Sequence, residues 1–551
     1  MRVAILGGYG VFGSRLAELL LRDGHQVWIV GRNPDKARNT AERLRCESIC
    51  LDFKTDPKPV FDIKPDVLID AAGPFQSYTA DPYRIPRICV DTGTDYLDLS
   101  DDADFTAGIA ALDPLAQQAG CRLLSGASSV PGLSSVIVAD LAKDLEDIYL
   151  IDIAILPGNW APRGTSVMRA ILGQAGRPNL AWRGGQWRDT SGWSDKRRIE
   201  LASDLRRSAF GIEVPDTKLF PAHFGARSVV FRAGMELWVL NAGLSAIARL
   251  RRLWPFEIKP GLVKLLQRLA NFLLPFGTDR GGMRVRAIGD IEGSTVRRDW
   301  RLIAEAGDGP YVPAVTIRAV LRRLDDVPCG ARPCLAELTT ADISQAMTDL
   351  SVTTDIQDAP APSLFQKALA DSWALLPSST RALHKVHDVE SFSGQARVTR
   401  GTGVIARLAA ALFGFPAEAD NVPISVTKMR KGDAEIWQRN FDGRHFSSQM
   451  TASTLPGHMC ERFWPFTFEL ALDVKDGQIH LPVRRGWCLG IPVPKALLPV
   501  SISREYDLDG LFHFDVTLNA PLGGGLIVRY RGNLTPEGAS ATQAPQPADP
   551  S

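Results

Sequence analysis

The chain has 551 residues, a formal net charge of +1 at pH 7, and 45% hydrophobic and 23% charged residues, which is the composition of an ordinary globular protein. The length predicts about three or four domains, the balanced charge argues against a nucleic-acid-binding protein, and no apolar run approaches the roughly 20 residues of a membrane-spanning helix. Its eight cysteines are scattered without the spacing of a zinc site, so we predict no metal site.

The first predicted elements form a dinucleotide-binding βαβ unit. A strand over residues 3–6 leads into a glycine-rich segment, an amphipathic helix follows, and a second strand covers residues 27–30. Glycines permit a tight turn, close approach to a pyrophosphate, and close packing of the helix, whose N-terminal amides face the anion. The predicted cofactor contacts are Gly7, Gly8, Tyr9, Gly10, Val11, Phe12 and Gly13. Both GxGxxG, starting at Gly8, and GxxGxxG, starting at Gly7, fit the spacing, and a purely structural turn is the alternative.

The end of the second strand indicates which dinucleotide is bound. NAD-binding proteins usually place a carboxylate there, on the adenine ribose, whereas this chain has Gly31, Arg32 and Asn33. A guanidinium binds the 2′-phosphate that a carboxylate would repel, so the sequence favours NADP over NAD. Arg32 and Asn33 are therefore predicted cofactor contacts, and a solvated loop arginine is the alternative.

Helices and strands alternate up to residue 145, with further strands predicted over residues 47–51, 67–71, 96–99 and 122–125. This alternation predicts an α/β fold with a Rossmann-type, doubly wound parallel sheet. Ala72 and Gly73 follow the strand at 67–71, and we predict cofactor contacts there because small residues would let a dinucleotide lie across the sheet edge. A plain Gly-Pro turn is the alternative.

Carboxylates crowd the end of the next strand, where Asp95, Asp98, Asp101 and Asp102 lie close together in the sequence. Like charges raise the proton affinity of a carboxylate and suit acid–base chemistry. We predict that Asp98 is catalytic, with Ser128 and Ser129 as hydrogen-bond donors. The alternative is that these acidic and serine residues cap the helix that follows.

Several motifs in this region occur in a specific order: GGYGVFG at residues 7–13, VGRN at 30–33, AAGPF at 71–75, GTDYLDLS at 93–100 and GASSVPG at 126–132. Together they resemble the NADP-binding domain of the saccharopine dehydrogenase-like oxidoreductases. The resemblance is clear over residues 1–145 and thin over residues 146–350. It implies an NADP-linked fold and does not identify a substrate.

Residues 146–355 are predicted to form a second α/β domain, which begins with a strand at 149–156 and returns through a strand at 295–304. In related folds such a domain closes over the cofactor. Its segment 234–276 mixes apolar residues with basic ones, and residues 262–274 have the character of an interfacial helix. We predict peripheral membrane contact through residues 234–276. Packing against its own domain, or against a second subunit in a homodimer, is the alternative.

Residues 358–362, Asp-Ala-Pro-Ala-Pro, indicate a linker because proline resists helix and sheet. A β-rich α+β domain is predicted over residues 362–535, followed by a disordered tail over residues 536–551. Motifs such as WQRNF at 437–441 and GIPVP at 490–494 resemble an uncharacterised bacterial domain family found behind saccharopine dehydrogenase-like domains. The candidates for a polar site within an aromatic cup are Arg400, Trp437, Arg439 and Glu461, with buried ion pairs as the alternative.

The sequence therefore predicts an NADP-dependent oxidoreductase that transfers a hydride to or from a small or lipid-like carbonyl or imine substrate. Two alternatives stay open: a catalytically silent NADP-binding scaffold or sensor, and a lipid-binding protein of the membrane surface. We expect a small-molecule substrate and no nucleic-acid partner. Because the chain begins at once with the first strand, leaving no room for a signal peptide, we expect a cytoplasmic protein, with peripheral membrane attachment as the alternative.

Overall fold

The computed structural model describes residues 1–53, 55–78, 81–162, 164–254 and 256–538. The elements of the N-terminal region are β1 (Arg2–Leu6), α1 (Val11–Arg22), β2 (Gln26–Gly31), α2 (Pro34–Leu44), β3 (Glu47–Cys50), β4 (Val67–Asp70), α3 (Arg84–Thr92), β5 (Asp95–Asp98), α4 (Ala103–Gly108), α5 (Asp113–Ala119), β6 (Arg122–Ser125) and α6 (Ser134–Ala142).

The middle region contributes β7 (Asp147–Leu156), α7 (Thr165–Gln174), β8 (Pro178–Trp182), β9 (Trp187–Ser191), β10 (Ser194–Ala202), β11 (Leu205–Gly211), α8 (Pro215–Phe224), β12 (Val229–Ala233), α9 (Trp238–Leu253), α10 (Pro260–Phe272), β13 (Gly281–Ile291), β14 (Ser294–Ala304), α11 (Val312–Arg322), β15 (Gly330–Pro333), α12 (Thr340–Ala346) and β16 (Val352–Pro360).

The C-terminal region contains α13 (Leu364–Leu369), α14 (Ser378–His384), β17 (Val389–Arg400), α15 (Val404–Phe413), β18 (Ala419–Lys431), β19 (Ala434–Phe441), β20 (Arg444–Ala452), β21 (His458–Phe463), β22 (Phe466–Ala471), β23 (Asp473–Lys475), β24 (Gln478–His480), β25 (Val483–Cys488), β26 (Ile491–Pro492), β27 (Val500–Leu508), β28 (Leu511–Asn519) and β29 (Leu526–Pro536).

The N-terminal sheet is parallel and has the strand order β3–β2–β1–β4–β5–β6–β15. Alternate residues of β1 face different apolar clusters, with Val3 and Ile5 on one side of the sheet and Ala4 and Leu6 on the other. Both faces are therefore buried, as a parallel sheet requires. The predicted Rossmann-type sheet is confirmed, and its strand order reverses between β1 and β4, where open α/β sheets bind their ligands.

The outermost strand of the N-terminal sheet, β15, lies beyond the domain boundary predicted at residue 145. It pairs in parallel with β6, so that Gly330 lies opposite Arg122. Helix α11 also packs on α1, where the Arg318 guanidinium donates to Asp23 at 2.7 and 3.0 Å. The N-terminal sheet thus takes its last strand from the region predicted as the second domain. A strand of only 4 residues is too short for its apolar pattern to predict which sheet it joins.

The middle sheet is mixed, with the order β10–β11–β12–β7–β13–β14–β16. Strands β7 and β14 contain the two predicted for the second α/β region. The linker predicted at 358–362 was wrong in part, because residues 358–360 lie in β16, where Pro360 is opposite Val296 of β14. Proline is tolerated there because β16 is an edge strand of this sheet.

The C-terminal sheet has 13 strands in the order β23–β24–β27–β28–β29–β17–β18–β19–β20–β21–β22–β25–β26, so the predicted β-rich region is confirmed. Its two ends approach each other. The Leu481 amide donates to Ser503 of β27 at 2.9 Å, and the Ala471 amide of β22 donates to Pro482 at 3.1 Å. The sheet therefore curls into a barrel-like wall. Strand β29 reaches Pro536, and residues 539–551 of the predicted tail lie outside the described residues.

Partly buried ion pairs join the middle and C-terminal regions. The Arg183 guanidinium donates to Asp388 at 2.7 Å, and the Arg227 guanidinium donates to Glu390 at 3.1 Å. Among the helices that the structure describes, none has the length and apolarity to cross a membrane.

Candidate functional site

The turn between β1 and α1 depends on glycine at two close backbone contacts. Gly7 has a φ of +70°, and a Cβ atom there would lie 2.6 Å from the Cα atom of Ala72. A Cβ atom at Gly13 would lie 2.5 Å from the carbonyl oxygen of Gly7. Gly10 is the N-cap of α1. The structure therefore assigns the glycine roles in the GxxGxxG register, with Gly7 for the turn and Gly13 for close packing of the helix.

The N-terminus of α1 is suited to an anion. No side chain caps this helix within the described structure, and its first turn contains no acidic residue. The first amides of a helix have no partner inside the helix, and the helix dipole favours negative charge beside them. Val11 at this terminus contacts the start of α7, because a Cβ atom at Gly164 would lie 3.1 Å from Val11 Cγ2.

The residues after β2 divide into two roles. The Asn33 side-chain oxygen accepts a hydrogen bond of 2.9 Å from the Lys36 amide and so caps α2. Arg32 is exposed immediately after the strand. The Tyr9 ring covers Gly31, where a Cβ atom would lie 2.2 Å from Tyr9 Cε1. The structure therefore brings Tyr9 and the end of β2 together, while the side chain of Asn33 serves the helix.

The loop after β4 is held by Asp70, which the sequence analysis did not single out. Its carboxylate is buried and accepts hydrogen bonds from the Ala72 amide at 2.9 Å and from the Tyr78 hydroxyl at 3.1 Å. Burial, followed by the charge of Asp70, raises the pKa of Tyr78. This loop places Ala72 against Gly7. Asp70 looked like an ordinary strand end in the sequence, so only the fold reveals its role.

Asp98 lies behind the surface of the site and is fully buried. One carboxylate oxygen accepts three hydrogen bonds, from the Gly126 amide at 2.7 Å, the Ser100 amide at 2.9 Å and the Ser125 hydroxyl at 3.0 Å. Burial raises the pKa of Asp98 to about 7. In this conformation Asp98 ties together the loops after β5 and β6, and its catalytic role stays a prediction.

The neighbouring carboxylates differ in accessibility. Asp102 accepts a hydrogen bond of 2.8 Å from the Phe105 amide and caps α4, as the alternative interpretation of this acidic segment had it. Asp101 is exposed, and the Gln76 amide group donates to it at 3.2 Å. Desolvation by the surrounding protein raises the pKa of Asp101. Of this cluster, Asp101 is the carboxylate most accessible to a ligand at the C-terminal edge of the parallel sheet.

Ser128 and Ser129 are buried in the loop after β6. The Ser128 amide donates to the Gly126 carbonyl at 2.7 Å, and the Ser128 carbonyl accepts from the Thr316 hydroxyl of α11 at 2.9 Å. The structure thus fixes the backbone of Ser128 at the same sheet edge as Asp98.

Two family models match the chain. The saccharopine dehydrogenase NADP binding domain matches residues 3–124, and a domain of unknown function, DUF4166, matches residues 376–534. The chain joins a saccharopine dehydrogenase NADP-binding domain to a DUF4166 domain. Both resemblances stated from the sequence motifs are thereby confirmed.

Similar solved structures include the apo saccharopine dehydrogenase (L-Glu forming) of Saccharomyces cerevisiae, which is 13% identical over 65% of this chain and 100% of that one, with a TM-score of 0.48. Another is the homospermidine synthase of Legionella pneumophila in complex with NAD, which is 12% identical over 65% of this chain and 91% of that one, with a TM-score of 0.43. No curated protein matches the chain.

The saccharopine dehydrogenase NADP-binding domain presents a site that fits a dinucleotide. The close approach of Gly7, Gly13 and Ala72 leaves no space for larger side chains, and the uncapped start of α1 offers amides to a pyrophosphate. Both features lie at the point where the strand order of the sheet reverses. The residues present therefore agree with a nucleotide cofactor.

Asp216 is a further buried carboxylate near this domain, and no sequence pattern predicts its burial. Asp216 of α8 is fully buried, and burial raises its pKa to about 7, although the nearby Ser134 hydroxyl acts in the opposite direction. At the start of a helix, an aspartate is expected for reasons of helix stability alone. Its burial results from the packing of α8 on α4 and α6, which only the tertiary structure shows.

Proposed function

We propose that the chain is an NADP-dependent oxidoreductase whose substrate binds at the C-terminal edge of the parallel sheet. The observation that carries the proposal is the glycine turn of Gly7, Gly10 and Gly13, packed on Ala72 and lying within the matched NADP-binding domain. NADP supplies or accepts a hydride. The carbon that exchanges this hydride belongs to a carbonyl, an imine or the corresponding alcohol or amine.

The protein side of this chemistry is binding, orientation and proton transfer. The amides of α1 bind the pyrophosphate, and the Arg32 guanidinium binds the 2′-phosphate through charge-assisted hydrogen bonds. When the substrate is oxidised, its oxygen or nitrogen loses a proton, and the exposed Asp101 is the carboxylate proposed to accept it. Asp98 and the loop of Ser128 keep this edge of the sheet in place. Gly164, at the start of α7, lies beside Val11 of α1.

The first experiment titrates the purified chain with NADPH and NADH by fluorescence, using the wild type, Arg32→Ala and Arg43→Ala. Arg43 is the matched control because it is exposed at the other end of α2. We expect selective NADPH binding, weakened by about 1 to 3 kcal/mol in Arg32→Ala because a charge-assisted pair is lost. Arg43→Ala should bind like the wild type.

Equal affinity of the wild type for NADH and NADPH would reject Arg32 as the specificity residue. Binding of neither cofactor would reject the oxidoreductase. Selective binding without oxidation of NADPH by any carbonyl or imine compound would favour the silent scaffold or sensor instead.

A second candidate function, attachment to an anionic membrane surface, is favoured by helices α9 and α10. Their inner residues Leu244, Ala248 and Val263 pack into an apolar cluster of the middle region. The outer side exposes large apolar residues, with Trp238 79%, Leu253 80% and Phe272 75% exposed. The exposed basic residues around them are Arg249, Arg252, Lys259, Lys264 and Arg268, against one exposed acidic residue, Glu257.

Exposed apolar side chains flanked by basic ones suit the surface of an anionic membrane. The apolar groups enter the boundary of the acyl chains, and the cations remain among the headgroups. We expect the protein to sediment with vesicles that contain phosphatidylserine, and less with phosphatidylcholine alone. Leu253→Ser with Phe272→Ser should abolish sedimentation, while the exposed Ile356→Ser on β16 should leave it intact. A wild type that stays in the supernatant as a dimer would show that this surface contacts a second subunit.

A further inference from the structure

The C-terminal sheet surrounds a partly open cavity of about 160 Å³. Alternate residues of several strands face it, as the two-residue period of a strand requires. On β28 these are Phe512, Phe514, Val516 and Leu518. The stretch from Phe512 to Leu518 spans about 20 Å at 3.3 Å per residue. The cavity is therefore long and mainly apolar.

Helix α15 forms one wall of the cavity. Ala409 and Phe413 line the interior, whereas Leu408 and Leu412 are exposed on the other side of the helix. The helix connects the end of β17 to the start of β18, so it lies at the end of the barrel where Leu518 of β28 and Ile527 of β29 are found. This end of the cavity is lined mainly by apolar side chains, and Ser501 of β27 lies opposite Leu518.

The opposite end carries a linked polar group. Lys428 is 1% exposed, and its ammonium donates to the Leu383 carbonyl at 2.9 Å and lies 3.4 Å from His384 Nδ1. His384 Nε2 lies 2.7 Å from the Glu505 carboxylate. Burial lowers the pKa of His384 to about 4, so the imidazole is neutral at pH 7 and links a cation to an anion. The ammonium also faces the Trp437 ring, 3.7 Å from its centroid.

A second ion pair lies nearer the middle of the cavity. Arg439 donates to the Glu461 carboxylate at 3.2 Å and to the Ser448 hydroxyl at 2.9 Å. Arg400, by contrast, donates to the Phe415 and Pro416 carbonyls at 3.1 and 2.8 Å and is separate from this pair. Of the residues predicted for a polar site in an aromatic cup, the structure therefore brings together Trp437, Arg439 and Glu461.

The charges that line the cavity cancel, since Lys428 and Arg439 are balanced by Glu505 and Glu461. A carboxylate or phosphate entering this space would be desolvated beside two carboxylates. It would find Arg439 already paired with Glu461, and the Lys428 ammonium already held by the Leu383 carbonyl and His384, so its burial is costly. A hydroxyl, carbonyl or ester group needs only hydrogen bonds, which Ser501, Ser503 and the ion pairs can supply. We propose that the cavity binds a long apolar molecule that carries one uncharged polar group, as long-chain alcohols and esters do.

The test uses the full-length protein and the uncharged fluorescent reporter N-phenyl-1-naphthylamine. We expect saturable fluorescence enhancement, displaced by 1-dodecanol and displaced at least about tenfold more weakly by dodecanoate, a difference of about 1.4 kcal/mol. Absence of saturable binding would overturn the cavity ligand. Stronger displacement by dodecanoate would overturn the uncharged head group and indicate an anion site. Neither outcome depends on NADP binding.

Matched substitutions locate the ligand. Ala409→Trp fills the cavity from α15 and should weaken reporter binding by about tenfold or more, whereas Leu408→Trp, on the exposed side of the same helix, should not. If Ala409→Trp does not fold, as judged by circular dichroism, Val516→Trp on β28 takes its place, with Thr517→Trp on the other side of the strand as its control. Equal binding by the cavity-filling variant and its control would place the reporter outside the cavity.

A charge substitution tests the head group directly. Glu461→Gln leaves Arg439 without its counterion, so the affinity for dodecanoate relative to 1-dodecanol should rise by about tenfold. Glu418→Gln, which removes an exposed charge outside the cavity lining, should leave the ratio unchanged. An unchanged ratio in Glu461→Gln would show that the polar group of the ligand does not lie near this ion pair, against the proposal.

Discussion

The nucleotide site of the N-terminal domain and the cavity of the C-terminal domain are built in opposite ways. The nucleotide site uses backbone, with Gly7, Gly13 and Ala72 placed by contacts that a single Cβ atom would break. The cavity uses side chains, and its charged end joins Lys428 of β18 to Glu505 of β27 through His384 of α14. A site built from backbone can be predicted from a short sequence motif, whereas a site built from side chains depends on which distant strands pair.

The largest effect expected from this comparison is the loss of cofactor binding in Gly13→Ala. The added Cβ atom would lie 2.5 Å from the Gly7 carbonyl oxygen, so α1 must move away from the turn. We expect NADPH affinity to fall by about 100-fold, which is about 2.7 kcal/mol, measured by fluorescence titration. Gly243→Ala is the control, since a Cβ atom there meets nothing within 4 Å. Wild-type affinity in Gly13→Ala would show that the turn does not hold the cofactor.

The next effect concerns the stability of the C-terminal domain in Lys428→Met. Removing the buried ammonium takes away the cation that His384 links to the Glu505 carboxylate, and the loss of such a buried, hydrogen-bonded charge costs about 1 to 3 kcal/mol. Urea denaturation should show a destabilised C-terminal transition, with NADPH affinity unchanged. Lys431→Met, at the exposed end of the same strand, is the control. Adding Glu505→Gln to Lys428→Met should restore part of the loss, and a failure to do so would contradict the pairing.

The same contrast explains what could be predicted from the sequence. The turn at residues 7–13 and the strands of the parallel sheet follow from local spacing and apolar patterns, and they were predicted correctly. Strand β15 and the strand at 358–360 were missed because pairing with distant strands decides them. Asp98 and Asp216 look like ordinary helix-flanking or helix-starting acids, and only tertiary packing buries them. Trp437, Arg439 and Glu461 were predicted from the sequence as part of a polar site, but the link between Lys428, His384 and Glu505 needed the fold.

Asp216 gives a pH-dependent prediction. Burial raises its pKa from the ordinary 3.8 to about 7, so the folded state binds the proton more tightly than the unfolded state. Protonation of Asp216 therefore stabilises the folded state, and this stabilisation is complete below pH 3.8. The free energy of unfolding falls as the pH rises from 3.8 toward about 7. Asp216→Asn cannot ionise and should be more stable than the wild type at pH 8 by about 1 to 4 kcal/mol.

Thermal unfolding measured from pH 5 to pH 8 checks this prediction, because the gap between Asp216→Asn and the wild type should widen as the pH rises. Asp91→Asn on α3 is the control, since Asp91 is exposed. A gap that stays constant with pH would mean that Asp216 does not titrate in this range in the folded protein.

The smallest effect separates the two roles found after β2. The Asn33 side chain caps α2 through the Lys36 amide, so Asn33→Ala should lower the free energy of unfolding by about 1 kcal/mol, the usual cost of losing an N-cap. Asn39→Ala, on the exposed side of the same helix, should be neutral or slightly stabilising, because alanine has the higher helix propensity. The preference for NADPH over NADH should survive in Asn33→Ala and weaken in Arg32→Ala. A loss of that preference in Asn33→Ala as large as in Arg32→Ala would mean that the Asn33 side chain leaves its cap to contact the cofactor, and the backbone alone would then not account for this part of the site.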